Sequence, residues 1–301
     1  MKARIVKIIS KNYQVLTDAG ERLDALVMGK VRLQTVPLAG DEVEIEQIDG
    51  RWAIQKILPR RNRLIRPAVA NVDQAIIVMS VRDPDFSTAL VDRLSFLIVH
   101  AGVAPLLCVT KTDLGIPEEV EKAIREYEQG PMKVIRTRKD VLEPQLGDVL
   151  KGKISVLTGQ SGAGKSTLLN GLNPDFHLAT QEISKALGRG RHTTRHNELH
   201  EVAGGLVADT PGFSSLEFNH MSLDDLAWSV LEFQPYLGHC RFNDCMHMDE
   251  PGCAVKQAVA AGTIPQTRYD NYLSIAKLIK QRKERYIWLL HLRFCPWIIP
   301  G

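Results

Sequence analysis

Between an apolar, strand-like run at residues 154–158 and a helical run at 167–172 lies Gly159-Gln160-Ser161-Gly162-Ala163-Gly164-Lys165-Ser166, and few local structures accommodate it. A buried strand must end in a glycine-rich turn that feeds a helix N-terminus, which is the setting that makes G-x4-G-K-S a phosphate loop. Successive backbone N–H groups turn inward around phosphate oxygens, and the helix dipole strengthens the field. Lys165 can reach the outer phosphates of a nucleotide and the Ser166 hydroxyl can bind Mg²⁺. The loop alone does not separate ATP from GTP.

A base-reading motif comes earlier in the chain. Thr110-Lys111-Thr112-Asp113 closes an apolar run at 103–109, where a base pocket belongs in an open α/β sheet. Asp113 can accept hydrogen bonds from the two N–H groups on guanine's edge, a pair that adenine lacks. Lys111 can lay its stem over the base plane. The common pattern is N-K-x-D, so Thr110 puts a hydroxyl where an amide is usual, which predicts weaker hydrogen bonding and lower guanine affinity. Taken alone, T-K-x-D also suits a surface turn. Asp209-Thr210-Pro211-Gly212 follows a short strand at 206–208. Asp209 is expected to hold Mg²⁺ through water, and the Gly212 N–H to sense the γ-phosphate. An ordinary GTPase begins with its phosphate loop. Here the base motif leads, so the order is circularly permuted.

Many GTPases place glutamine after D-x-x-G to orient water. Phe213 stands there and can neither donate nor accept, so another group must position the nucleophile or hydrolysis must wait for a partner. Gly188-Arg189-Gly190-Arg191-His192-Thr193-Thr194-Arg195 has the composition of a basic switch loop. A threonine in it can close on Mg²⁺, and His192 can orient water or be a spectator.

Cys240-x4-Cys245-x-His247-x5-Cys253 supplies three thiolates and an imidazole, a set suited to a closed tetrahedral Zn²⁺ site. A full set leaves no position for water, which reads as structural rather than catalytic. Asp244, Asp249 and Glu250 can orient the ligands. Cys108 lies in an apolar run and reads as core, and Cys295 is spare.

The spacing of short alternating runs at 4–9, 13–17, 22–27, 41–47 and 52–57 predicts a small five-stranded barrel, OB-like or SH3-like. Residues 1–66 hold thirteen Lys/Arg against eight Asp/Glu, although the whole chain is only +3. That surplus suits a polyanionic partner, or simply a solvated basic face. Arg60-Arg61-Asn62-Arg63 reads as a charged linker. Strand-like runs at 72–81, 103–109, 134–137, 154–158 and 206–208 alternate with helical ones at 90–100 and 117–129, predicting a parallel sheet flanked by helices. Beyond Phe213 the pattern is helical at 223–233, 255–261 and from 268 to at least 288. The N-terminus lacks the pattern of a signal peptide and no apolar run is long enough to span a membrane, so a cytoplasmic, monomeric protein without membrane attachment is expected.

Together these parts resemble the circularly permuted, ribosome small-subunit-dependent GTPases of the RsgA (YjeQ) family. The resemblance rests on Arg66-Pro67, Asn71-Val72-Asp73-Gln74, the motif order, the phosphate loop through Thr167, the loop 188–195, Asp209 to Phe213, the Cys/Cys/His/Cys set and Arg268-Tyr269. It implies an OB-fold at 1–66, a permuted GTPase domain at 67–218 and a helical zinc domain at 219–301. It implies GTP hydrolysis to GDP, stimulated by the small (30S) ribosomal subunit late in its maturation, with rRNA bound through the outer domains. His192 becomes the catalytic residue, and Thr194 joins Ser166 and Asp209 at Mg²⁺. The segment after Tyr286, ending Phe294-Cys295-Pro296-Trp297, departs from the charged helix usual in the family. It reads as a packed extension, a sticky tail or an altered reading frame. Two other functions stay open: an ATP-using P-loop enzyme such as a small-molecule kinase, and a passive RNA-binding module.

Overall fold

A computed structural model describes residues 1–27, 35–65, 67–138, 144–172, 198–208 and 217–294, with side chains up to residue 282. Five strands, β1 (Lys2–Ile9), β2 (Asn12–Thr17), β3 (Arg22–Leu26), β4 (Glu42–Ile48) and β5 (Arg51–Ile57), close into a barrel in the order β1-β2-β3-β5-β4. The parallel β3–β5 pairing and the β1–β4 closure favour the OB-like alternative. Alternate residues such as Ile5, Val15, Val43, Ile45 and Ile54 fill its interior.

The register of β1 against β2 shifts between Ile5 and Lys7. That bulge turns Val6 out of the barrel, and Val6 is wholly buried in the core of the neighbouring sheet. Ala39, Leu64 and Val69 enter the same core. The charged linker expected at 60–63 is instead a pinned crossing. Arg60 makes two short bonds to the buried carboxylate of Asp41 (2.6 and 2.7 Å), and Arg61 pairs with Asp73 at 2.8 Å. Asn62 exchanges side-chain bonds with both backbone groups of Val72. Arg60 and Arg61 are thus paired with carboxylates, while Arg63 remains exposed.

The central sheet has the order β10-β11-β9-β6-β7-β8, from β6 (Gln74–Ser80), β7 (Ala104–Thr110), β8 (Lys133–Arg136), β9 (Ile154–Gly159), β10 (Leu199–Val202) and β11 (Gly205–Ala208). Five strands are parallel. β10 is antiparallel to β11, which corrects the all-parallel expectation. Its four residues follow a polar stretch and carry too little periodicity to read as a strand. β6 is buried at every position, as a central parallel strand covered on both faces must be. The covering helices include α1 (Thr88–His100), capped by the Ser87 hydroxyl, α2 (Glu118–Glu128) and α3 (Pro144–Leu150). The sequence had not suggested α3.

The C-terminal unit carries α5 (Leu223–Ser229), α6 (Ala254–Ala260) and α7 (Gln266–Phe294), following α4 (Lys165–Leu172) of the phosphate loop. A capping box between Ser222 and Asp225 starts α5, which ends at Ser229 rather than 233. The backbone is already extended at Val230, and a 3-10 turn at Gln234–Tyr236 follows with Pro235 near its start. Phe96 on α1 points away from the sheet into the core of this unit. Beside it lies a buried polar junction. Arg268 of α7 pairs with Asp92 of α1 and, at 2.9 Å, with Glu232, its guanidinium 4.2 Å from the centre of the Tyr127 ring. Tyr127 and Asn271 donate to the two oxygens of Asp92 at 2.8 and 2.6 Å. Burial pushes Glu232 up to about 7. Two carboxylates facing Arg268 keep its charge satisfied.

Candidate nucleotide and metal sites

Parallel strands bring their C-terminal ends to one edge, and the motifs collect there. β9 runs into the glycine-rich loop and β7 into Thr110-Lys111-Thr112-Asp113, with β6 between them. Gly159 must be glycine: at φ +121° its missing Cβ would stand 2.1 Å from the Val78 carbonyl oxygen of β6. The loop crosses that strand end with no room for a side chain.

Lys165, the first residue of α4, is half-buried and donates to the carbonyls of Gly159 (2.9 Å) and Gln160 (2.6 Å). Burial lowers its pKa. The ammonium is thus folded over its own loop, held by neutral acceptors that a phosphate oxygen would outbid. Ser166 and Thr167 are exposed at the start of the helix.

Thr110, where an amide is usual, keeps a bond to the phosphate loop. Its buried hydroxyl donates to the Ala163 carbonyl at 2.6 Å, tying the base motif to the phosphate loop. Gly164 packs beside it in a positive-φ conformation, φ +95°, that favours glycine. Lys111 takes a left-handed conformation, φ +59°, and its ammonium donates to the Asp83 carbonyl. Thr112 is held by the Thr137 carbonyl, its hydroxyl donating at 3.0 Å. Asp113 follows in the 3-10 turn Thr112–Leu114. Asp83 and Thr137 were missed by the sequence reading. A threonine after a short strand and an aspartate before proline carry no distinctive spacing.

His192, Thr194, Asp209 and Gly212 lie outside the described residues. The neighbouring strand end is described. Leu199 of β10 pairs with Ala208 of β11, one residue before Asp209.

Cys240, Cys245, His247 and Cys253 converge as their spacing predicts, all ligand atoms within 4.8 Å of one another. The His247 Nδ1 stands 3.5, 3.6 and 3.4 Å from the three sulfurs, and Cys240 and Cys253 are 3.9 Å apart. Such a cluster can hold a tetrahedral cation. Backbone N–H groups of Ala254 and Lys256 point at the Cys240 and Cys253 sulfurs, and Cys253 caps α6. Burial lowers the His247 pKa, favouring the neutral imidazole that can ligate. It also pushes the Cys245 thiol up to about 12, so binding of a cation there would displace the proton. Among the three nearby acids, Glu250 holds the ligand loop, accepting from the backbone of Met246 (3.1 Å) and Met248 (2.8 Å). Burial works to raise this carboxyl, but the backbone donors outweigh it and leave it below its usual range. Tyr269 and Tyr272 of α7 donate to the His247 and Met246 carbonyls.

Comparison with known proteins adds the following. A model of the RsgA GTPase family matches residues 57–219. The small ribosomal subunit biogenesis GTPase RsgA of Geobacillus thermodenitrificans is 45% identical over 292 residues, covering 95% of this chain and 99% of its own. That of Bacillus subtilis is 41% identical over 299 residues with the same coverage. Among solved structures, YloQ, a circularly permuted GTPase, superposes with TM-score 0.81 at 35% identity, covering 93% of this chain and 95% of its own. YjeQ from Thermotoga maritima gives 0.80 at 34%, covering 92% and 98%.

Proposed function

The chain belongs to the RsgA GTPase family, and from that premise we propose that it hydrolyses GTP to GDP and phosphate in the biogenesis of the small ribosomal subunit, which stimulates the reaction. The observation that carries this reading is the Thr110–Ala163 bond, which locks the base motif and the phosphate loop into one pocket edge.

In this pocket the backbone N–H groups of residues 160–166 cradle the phosphates, and Thr167 extends the contact. Lys165 leaves the Gly159 and Gln160 carbonyls for the outer phosphates. Asp113 accepts from guanine's edge while Lys111 lies along the base. Ser166, Thr194 and Asp209 hold Mg²⁺, which screens charge on the phosphates. His192 orients the attacking water where Phe213 cannot, and Gly212 reads the γ-phosphate.

Zinc is the metal proposed for the cysteine cluster. A tetrahedron with zinc's bond lengths puts sulfur–sulfur pairs roughly 3.8 Å apart and sulfur–nitrogen pairs roughly 3.6 Å apart. The Cys240–Cys253 separation of 3.9 Å and the three sulfur–nitrogen separations of 3.4–3.6 Å agree. The proposed division is an OB domain at 1–66, a GTPase domain at 67–218 and a zinc domain at 219–301, the outer two binding rRNA. No helix among the described residues is long and apolar enough to cross a membrane. A cytoplasmic monomer is part of the proposal.

The test is hydrolysis of GTP and of ATP, with and without purified small subunits, at fixed salt and Mg²⁺. GTP-selective turnover, slow alone and accelerated by subunits, is expected. Equal use of ATP, or no acceleration, would refute the reading.

A further inference from the structure

Several of the barrel's cations pair with carboxylates, and two of them do so at one place. Lys7 of β1 pairs with Glu198 at 2.6 Å, and their backbones form an antiparallel bridge. Arg22 of β3 pairs with Glu201 of β10 at 2.9 Å. Between these ion pairs Val6, turned outward by the bulge, and Leu199 of β10 are both wholly buried in the core of the central sheet, with Leu16 packed against it. One strand of the barrel thus grips β10.

The position of that grip matters. β10 is antiparallel to its neighbour, so its first residue lies beside Ala208, at the sheet edge where the phosphate loop and Thr110 also sit. In sequence Glu198 follows Thr194 by four residues and His192 by six, and Ala208 precedes Asp209. The other barrel attachment, through Arg61, Asn62 and Asn71, leads to the beginning of β6 at the opposite edge.

We propose that the β1–β10 junction, made by Val6, Lys7 and Arg22 against Glu198, Leu199 and Glu201, is the connection through which docking of the barrel on the ribosomal subunit sets the rate of GTP hydrolysis. It rests on the subunit-stimulated reading above. Glu198 and Glu201 act as positioning residues: they fix where the chain carrying His192 and Thr194 re-enters the fold, and they touch neither nucleotide nor RNA. A barrel displaced by RNA moves β10 with it, because the buried Val6 contact and the backbone bridge do not stretch. The junction is the contiguous contact by which such a displacement reaches the strand beside Ala208.

The test uses full-length protein, GTP and purified small subunits, with Lys7→Glu, Glu198→Lys and the double exchange. Three quantities are read: the unstimulated rate, the subunit concentration giving half-maximal stimulation, and the maximal stimulated rate. Each single reversal is expected to lower the maximal stimulated rate about five- to tenfold, a larger factor than any change in the unstimulated rate, and the double exchange to restore it to within about twofold; a loss of that size corresponds to an interaction of roughly 1 kcal/mol. The two reversals change net charge in opposite directions. A simple effect on RNA affinity would therefore move half-saturation oppositely in the two, with no common loss of maximal rate, and would overturn the proposal. So would the absence of rescue. The more exposed Arg22–Glu201 pair gives a second exchange that leaves the Val6 contact untouched, and it must behave alike. Wild-type protein that is not stimulated at all would refute the functional reading itself, a result distinct from stimulation that survives the reversals.

Discussion

Replacing Arg268 with methionine tests how the C-terminal unit is attached. Methionine keeps much of the length and apolar bulk, so the change removes mainly charge. Arg268 is 4% exposed and Asp92 is wholly buried, so removal of the guanidinium strands one carboxylate without access to water and leaves Glu232 facing nothing positive in the junction. Asp92 keeps its bonds from Tyr127 and Asn271, which soften the loss without neutralising it. Removing one partner of a buried pair costs about 3–5 kcal/mol, and the lost ring contact falls within that figure. At roughly 2–4 °C per kcal/mol the unfolding midpoint should fall by about 6 °C or more. The pH dependence has a definite sign. A carboxyl whose folded pKa is raised above its unfolded value binds a proton in the native state first, so stability falls as pH rises through that window. Glu232 already sits near 7 through burial. The deficit of Arg268→Met should therefore be larger at pH 8 than at pH 6. Thermal and urea unfolding of the metal-loaded chain measure both. Adding Asp92→Asn should recover about 1–2 kcal/mol, because the stranded charge is gone. A loss under about 1 kcal/mol, or two substitutions whose costs simply add, would refute the reasoning.

Other outcomes follow from the same geometry. Thr110→Val keeps shape and removes the donor to Ala163, so GTP affinity measured by titration should fall roughly 5- to 30-fold, the equivalent of about 1–2 kcal/mol; unchanged affinity would show the bond to be incidental. Gly159→Ala must push its Cβ into the Val78 carbonyl, and nucleotide binding should be lost even in protein that purifies folded. Chelation should release one metal ion per chain, expose Cys240, Cys245 and Cys253 to thiol reagents and lower the unfolding temperature. Protons compete for the sulfurs, so metal affinity, followed by a chromogenic chelator, should weaken as pH falls. Resistance of these thiols after metal loss would argue against a metal-dependent fold.

Legibility of the sequence followed the range of the physics. The phosphate loop and the cysteine cluster read clearly because glycine geometry and ligand spacing are local, and β6 read clearly because burial on both faces leaves an unbroken apolar run. The partner of Thr110 was hidden, since Ala163 stands fifty-three positions away and only the fold brings it near. The supposed linker failed for the same reason: Arg60 looks solvated until Asp41 appears beside it. β10 was missed because Leu199-His200-Glu201-Val202 has a polar centre, whereas the equally short β8 and β11 carry adjacent apolar residues. Arg268-Tyr269 was noticed, but not its task. A buried arginine announces itself only when Asp92 and Glu232, far off in sequence, are seen to converge on it.

The outward-turned Val6 has a consequence for anyone who would cut this protein into parts. Its side chain completes a core built mostly by residues of the central sheet, together with Ala39 and the crossing residues Leu64 and Val69. A fragment begun after the barrel would not be the same catalytic unit with an appendage removed. It would carry an open apolar slot against Leu199 and would strand Glu198 and Glu201 without their cations. Kinetics measured on such a fragment would describe a wounded molecule, with the injury placed beside the strand that leads to Asp209.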